Sequence, residues 1–364
     1  MKSIYRTIFG GLLLLLALAS CTGKDIPMTE PEGGKEMIQW SVQSDTAVFS
    51  KALMDDATLK AACTPREDGY ESIGIWGTYD LEEDGQTSTH VVFDAEPLVY
   101  LAKASEITNP YNDWNYLSEA RYWAYGGKYK FRACYPQKLM ASLINTRMDA
   151  TEFQGGPINT SVVQEDIMVA ATTVDKSQNV SGPVELKMQH VFAAVMFKVR
   201  KVTEDFELPT GEGVTSCWLE NKTNATDLFS PSGYLVHTGN ETPEINWYTY
   251  ESSTAPMYVW KHSGLSFETE NTLYTSNGGL EGTEYTRNDG WLLVVPQTVK
   301  AETLQFCYTL KSTGSKVFST GIPAVTYVPG KRYTYALVIR GSDVDLTLTV
   351  TPWNYKDSSH DIVM

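Results

Sequence analysis

Apolar residues at every second position, in runs bounded by glycine and proline, commit this chain to sheet. Val184, Leu186 and Met188 alternate with Glu185, Lys187 and Gln189, and Leu304, Phe306, Tyr308 and Leu310 alternate with Gln305, Cys307, Thr309 and Lys311. Near the C-terminus Val344, Leu346, Leu348 and Val350 alternate with Asp345, Thr347, Thr349 and Thr351. A strand turns successive side chains to opposite faces, so each run offers one apolar and one wet face; a helix would split the same residues between opposite sides. Residues 191–199 and 292–295 are apolar on both faces, as strands in the middle of a sandwich would be. Gly126-Gly127, Gly155-Gly156-Pro157, Ser181-Gly182-Pro183, Asn277-Gly278-Gly279 and Pro329-Gly330 supply turns between the runs. Helical periodicity is confined to two short stretches, 48–62 and 137–148. The expected fold is all-β, with short strands at regular spacing forming sandwiches.

The N-terminus carries an address. Lys2 and Arg6 precede an apolar run over residues 8–19, which is too short to stay in a bilayer as a spanning helix and has the form of a signal peptide. Leu18-Ala19-Ser20-Cys21 resembles the bacterial lipobox, in which small residues admit the peptidase that cuts before a lipid-bearing cysteine. An ordinary secretory peptide with a coincidental cysteine is the alternative. The register of the leucine, the small residues and the cysteine favours lipidation at Cys21 and removal of residues 1–20. Residues 21–36, rich in Gly, Pro, Glu and Thr, read as a flexible tether. Attachment to the outer membrane then comes from the lipid.

The rest of the 364 residues suffices for two domains, here divided as 37–189 and 190–364, because the run from His190 to Val195 opens a new apolar strand. A formal charge of −15 repels phosphate backbones, which excludes nucleic acid as a natural partner. Cys63, Cys134, Cys217 and Cys307 are widely separated without a CxxC pair. An oxidising exterior permits disulfides among them, but Cys134 and Cys307 sit in strand-like runs where a buried free thiol is the commoner outcome.

Catalytic patterns are missing from the sequence. His90, His190, His237, His262 and His360 lack the spacing that sets two imidazoles on one helical face, and Asp55-Asp56 and Glu82-Glu83-Asp84 lack a full calcium loop. There is no nucleophile elbow, phosphate loop or dinucleotide fingerprint. The expectation is no enzyme, no cofactor and no metal. Aromatic residues cluster over 111–129, including Trp114 and Trp123, and again at Trp247, Tyr248, Tyr250, Tyr258 and Trp260. Trp114 and Trp123 are candidates for stacking on a sugar; the competing reading, preferred because aromatics favour sheets, packs Trp123 in a strand and lets Trp114 anchor a loop.

Several segments taken together resemble the fimbrillin family of Bacteroidetes lipoproteins. They are Tyr129-Lys130-Phe131-Arg132-Ala133-Cys134-Tyr135-Pro136, Glu165-Asp166-Ile167-Met168-Val169-Ala170, Leu186-Lys187-Met188-Gln189-His190-Val191-Phe192-Ala193, Trp291-Leu292-Leu293-Val294-Val295-Pro296-Gln297-Thr298, Pro329-Gly330-Lys331-Arg332-Tyr333-Thr334-Tyr335 and the closing Val350-Thr351-Pro352-Trp353. The resemblance implies two transthyretin-like β-sandwiches in tandem and assembly with other fimbrial subunits into a surface fibre, with a host protein or glycan as a further ligand. In the family's shaft subunits a trypsin-like protease cuts after an arginine beyond the first strand, and another subunit's C-terminal strand fills the groove. Here residues 37–43 would be that first strand, Arg66 in Thr64-Pro65-Arg66-Glu67-Asp68 the cut site, and Val344, Leu346, Leu348 and Val350 the donor positions. The proline and two acidic neighbours make Arg66 a poor tryptic site, which leaves an uncut anchor or tip subunit open. The rival class is a surface glycan-binding lipoprotein of a polysaccharide-uptake system.

Overall fold

The computed structural model describes residues 36–44, 54–101, 114–124, 127–143, 147–162, 164–178, 181–201, 213–223, 225, 227–250, 258–266, 274–275, 291–310, 314, 316–340 and 343–352. The signal segment, Cys21 and Trp353 lie outside the described residues.

In chain order the elements are β1 (Trp40–Ser44), α1 (Asp56–Ala62), β2 (Ile73–Glu83), β3 (Gln86–Tyr100), β4 (Trp114–Tyr116), β5 (Lys128–Tyr135), α2 (Gln137–Ser142), β6 (Arg147–Met148), β7 (Glu152–Asn159), β8 (Met168–Asp175), β9 (Val184–His190) and β10 (Ala193–Lys201). They continue as β11 (Gly213–Asn221), β12 (Ser232–Thr238), β13 (Glu244–Thr249), β14 (Tyr258–Ser266), β15 (Tyr274–Thr275), β16 (Leu292–Val294), β17 (Thr298–Val299), β18 (Leu304–Leu310), β19 (Lys316–Gly321), β20 (Val325–Thr326), β21 (Lys331–Arg340) and β22 (Asp343–Pro352). Of the first helical stretch, residues 48–53 lie outside the described residues and α1 begins at Asp56; the second stops at Ser142, and Arg147–Met148 is strand.

Strands β1-β4-β3-β2-β5-β8-β9 close into a barrel, sealed by a parallel pairing of β1 with β9. The β2–β3 hairpin turns on Asp84-Gly85 with φ of 52° and 74°, the left-handed pair that a two-residue hairpin demands. Barrel strand β5 shows how the interior fills. Tyr129, Phe131, Ala133 and Tyr135 point inward to a core shared with Trp40, Phe93, Leu98, Leu186 and Met188. Gly77 on β2 leaves the space that the Phe93 and Phe131 rings occupy; a Cβ there would sit 2.8 Å from Phe131.

The outward side of the barrel is buried too. Trp76, Cys134 and Val169 join Phe153, Ile158, Val191, Phe192, Leu235 and Leu293 in a second core. This happens because β6 and β7, inserted between barrel strands β5 and β8, leave the barrel and pair with β12, giving a sheet in the order β13-β12-β7-β6. The expected division between residues 189 and 190 cuts His190 from the end of barrel strand β9, and the β6–β7 excursion crosses it. Downstream, β10 lies parallel to β21, with β22 beyond it, and β14-β11-β18-β19 form a further sheet.

Two tyrosines brace corresponding strand entries. The Tyr129 hydroxyl accepts from Ala124 N at 2.6 Å, and the Tyr333 hydroxyl accepts from Val328 N at 2.9 Å while donating to Thr326 O at 2.6 Å. Each ties the start of its strand to backbone five residues upstream.

The residues of β18 depart from expectation. Their alternation predicts one wet face, yet Leu304, Phe306, Cys307 and Tyr308 are all buried, and so is Gln305. The strand lies between β11 and β19, and the Gln305 amide is spent on the buried Glu220 carboxylate at 2.7 Å.

Candidate assembly interface

The first strand is found three residues later than its sequence suggests, at Trp40–Ser44, with a single bridge from Met37 to Tyr122 ahead of it. Trp40, Val42 and Ser44 face the barrel interior. The Trp40 ring meets Phe93 edge-on at 5.4 Å and Phe131 at 5.1 Å. Along its length β1 pairs in parallel with β9, from Trp40 opposite Val184 to Ser44 opposite Met188, and touches β4 at Trp40 opposite Trp114. It is one stave of the barrel, and losing it would leave backbone donors and acceptors of β9 unpaired above an apolar floor.

From β1 the chain enters α1, capped by the Asp55 carboxylate on Thr58 N at 2.7 Å. Its Leu59, and Cys63 just beyond, pack into the barrel core. Arg66 follows in an exposed turn. Its Nε donates to Gly69 O at 2.8 Å and faces Asp68 at 3.2 Å, while Gly69 N returns to Arg66 O at 3.2 Å. A protease must open those contacts to draw Arg66 into an extended form.

At the other end β22 runs antiparallel to β21 for ten pairs, Lys331 opposite Pro352 through Arg340 opposite Asp343. Among the described residues no strand pairs with its far side, so β22 is an edge. Val344, Leu346, Leu348 and Val350 stand opposite Ile339, Leu337, Tyr335 and Tyr333; their side chains lie outside the described residues.

The tryptophans suggested for sugar stacking are spent inside. Trp114 is 5% exposed, in strand β4 rather than a loop, and Trp123 is 8% exposed, in a loop rather than a strand. The Lys176 ammonium sits 4.4 Å over the Trp123 ring, covering the face a sugar would need. Both belong to the barrel core, because the barrel closes around them.

Cys63 and Cys134 are free and buried, Cys307 is buried, and the Cys217 side chain lies outside the described residues. Burial first, and Glu71 second, push the Cys63 thiol up to about 12; burial alone does the same to Cys134, so neither is a nucleophile near neutrality. Among the described residues no three His, Cys, Asp or Glu side chains gather as a metal would require.

One polar cluster escapes sequence reasoning. Arg132, on the outward face of β5, is fully buried. It donates to His237 Nδ1 at 2.6 Å and to the carbonyls of His237, Thr151 and Gly239 at 3.0, 2.7 and 2.9 Å. Asn240 adds bonds to the carbonyls of Ala150 and Phe131 at 2.7 and 3.3 Å. The guanidinium thus fastens the barrel to β12 and the β6–β7 turn. Burial, then the Arg132 charge, pulls His237 down to about 3, so its ring is neutral and accepts. An arginine within the apolar strand Tyr129–Tyr135 was the signal available. The arrangement clamps backbone and offers nothing to a substrate.

An all-β chain of joined sheets, with a barrel stave placed before an exposed arginine and a long edge strand at the C-terminus, defines the class of molecule. The match to a fimbrillin-like family model spans residues 60–353, and the chain belongs to that family. No curated protein matches the sequence. Among solved structures, a fimbrial protein from Bacteroides vulgatus is similar at 16% identity and a TM-score of 0.55, covering 87% of this chain and 99% of that one. A protein from Bacteroides ovatus, provisionally described as a cell adhesion protein, is similar at 11% identity and a TM-score of 0.50, covering 89% and 100%. These likenesses speak for the fold.

Proposed function

We propose that this chain is a structural or adhesion subunit of a cell-surface fimbria, exported by residues 1–20, lipidated at Cys21 and assembled by strand exchange. In this reading residues 37–189 and 190–364 correspond to two transthyretin-like sandwiches. A cut after Arg66 frees the segment holding β1, and the strand with Val344, Leu346, Leu348 and Val350 from another copy enters the vacated groove. The partners are other fimbrial subunits and, through the lipid, the outer membrane; no catalysis is assigned. The observation that carries the proposal is the seat of β1: it closes a barrel through main-chain pairing yet is joined to the rest by an exposed Arg66 loop. The edge position of β22 and family membership support it.

Two experiments test it. Labelled palmitate should enter the wild-type protein and fail to enter Cys21→Ser; unchanged labelling would remove the anchor. Trypsin treatment of the purified protein should give a ladder of oligomers that Arg66→Ala and deletion of residues 344–364 both prevent. If the cut protein stays monomeric and the uncut form lies at the fibre base or tip, the shaft role fails and an anchor or tip subunit replaces it.

A further inference from the structure

The sheet β13-β12-β7-β6 has one face committed to the core and one face turned outward. Ile245, Trp247, Leu235 and Phe153 face inward, and Trp247 Nε1 donates to Val191 O at 2.8 Å. Tyr248 is 60% exposed and Tyr250 is 55% exposed, both near the edge strand's end. Tyr234, directly opposite Tyr248 on β12, meets the Tyr250 ring edge to face at 5.3 Å and 87°. That contact holds two aromatic planes at right angles without burying them, a preorganised corner with little rotamer freedom left to lose.

The next outward row supplies polar groups. Asn246 and Gln154 are exposed and both register with Val236, so a row of two amides runs beside the tyrosines; the Gln154 Nε2 donates to Glu152, which leaves its Oε1 and second N–H to face outward. Glu244 stands one step further along β13. Arg147, at the far edge of the sheet, is held by Asp149 and Glu152 at 3.4 and 3.8 Å. Exposed aromatic planes suit the C–H faces of sugar rings, and amides suit their hydroxyls. The local carboxylates and the chain's formal charge of −15 oppose an anionic partner.

We infer that the outer face of this sheet is a binding platform for a neutral, pyranose-containing glycan, with Tyr234, Tyr248 and Tyr250 stacking and Asn246 and Gln154 hydrogen-bonding. The site is independent of how subunits join, since it uses neither β1, Arg66 nor β22.

The test is affinity electrophoresis of the detergent-solubilised full chain in gels containing mannan, mixed-linkage β-glucan or arabinogalactan, with dextran sulfate as the anionic counterpart. At least one neutral polymer should retard the protein. Tyr248→Thr with Tyr250→Thr, substitutions that strands accept, should weaken retardation by about tenfold, the change that ~1.4 kcal/mol of lost contact produces. Tyr70→Thr, at an exposed tyrosine beside Arg66, should leave it intact. Three results would overturn the inference: no retardation by any neutral polymer, retardation unchanged in the double variant, or retardation by dextran sulfate alone. Loss of a dimer in sedimentation with unchanged retention would make this face a contact between copies and overturn it as well. Should the double variant misfold, iodination of the wild type decides: the retarding polymer must shield Tyr248 and Tyr250, and equal labelling with and without it refutes the platform.

Discussion

Replacing Trp40 by alanine removes the part of β1 that most fills the barrel. The ring is 1% exposed and lies edge-on to both Phe93 and Phe131. Truncating a buried tryptophan costs about 3–5 kcal/mol, and two edge-to-face contacts at ~0.5–1.5 kcal/mol each place this site toward the upper end. Neighbouring strands cannot collapse into the void, because β1 is paired to β9 over five residues. Trp40→Phe should behave differently. Its indole Nε1 is buried without a hydrogen-bond partner, and an unsatisfied buried donor costs ~1–3 kcal/mol, so losing it offsets much of the lost volume. The expected penalty is about 1 kcal/mol or less. Gln43→Ala, exposed on the same strand, should stay within ~0.5 kcal/mol. Urea unfolding followed by circular dichroism, with amide exchange on β9 as the local probe, measures all three. An alanine penalty under ~1 kcal/mol, or a phenylalanine penalty equal to it, would refute the reasoning. In protein cut after Arg66, Trp40→Ala should also speed release of the N-terminal segment.

Acid should loosen the Arg132 clamp. Burial and Arg132 hold His237 at about 3, against an ordinary 6.5, so the unfolded chain binds this proton first. The stability linked to His237 is complete above about 6.5 and is lost as pH falls toward 3, at up to ~1.4 kcal/mol per pH unit. His237→Gln should flatten the difference in unfolding free energy between pH 4 and pH 6; an unchanged slope would remove His237 from the account. Removing one hydroxyl by Tyr129→Phe or Tyr333→Phe should cost about 1–3 kcal/mol, because each frees a backbone donor at Ala124 or Val328. Thermal unfolding reads this directly, and a neutral effect at both positions would deny the bracing role.

The strand Val184–His190 was legible from its residues alone, with Val184, Leu186 and Met188 buried and Glu185 and Lys187 exposed. So was the doubly apolar run from Val191 to Met196, buried throughout. Local alternation states which face of a strand is apolar, and the hydrophobic effect enforces it. It does not state which strand lies alongside or what covers the other face. Those depend on contacts between segments far apart in the chain. Tertiary structure therefore decided that β1 pairs in parallel with β9, that β6 and β7 leave the barrel for β12, and that Arg132 is sealed among carbonyls. It also decided the fate of the aromatic clusters. Trp114 and Trp123 are enclosed because the barrel closes around them, whereas Tyr248 and Tyr250 remain outside because their sheet buries only its opposite face.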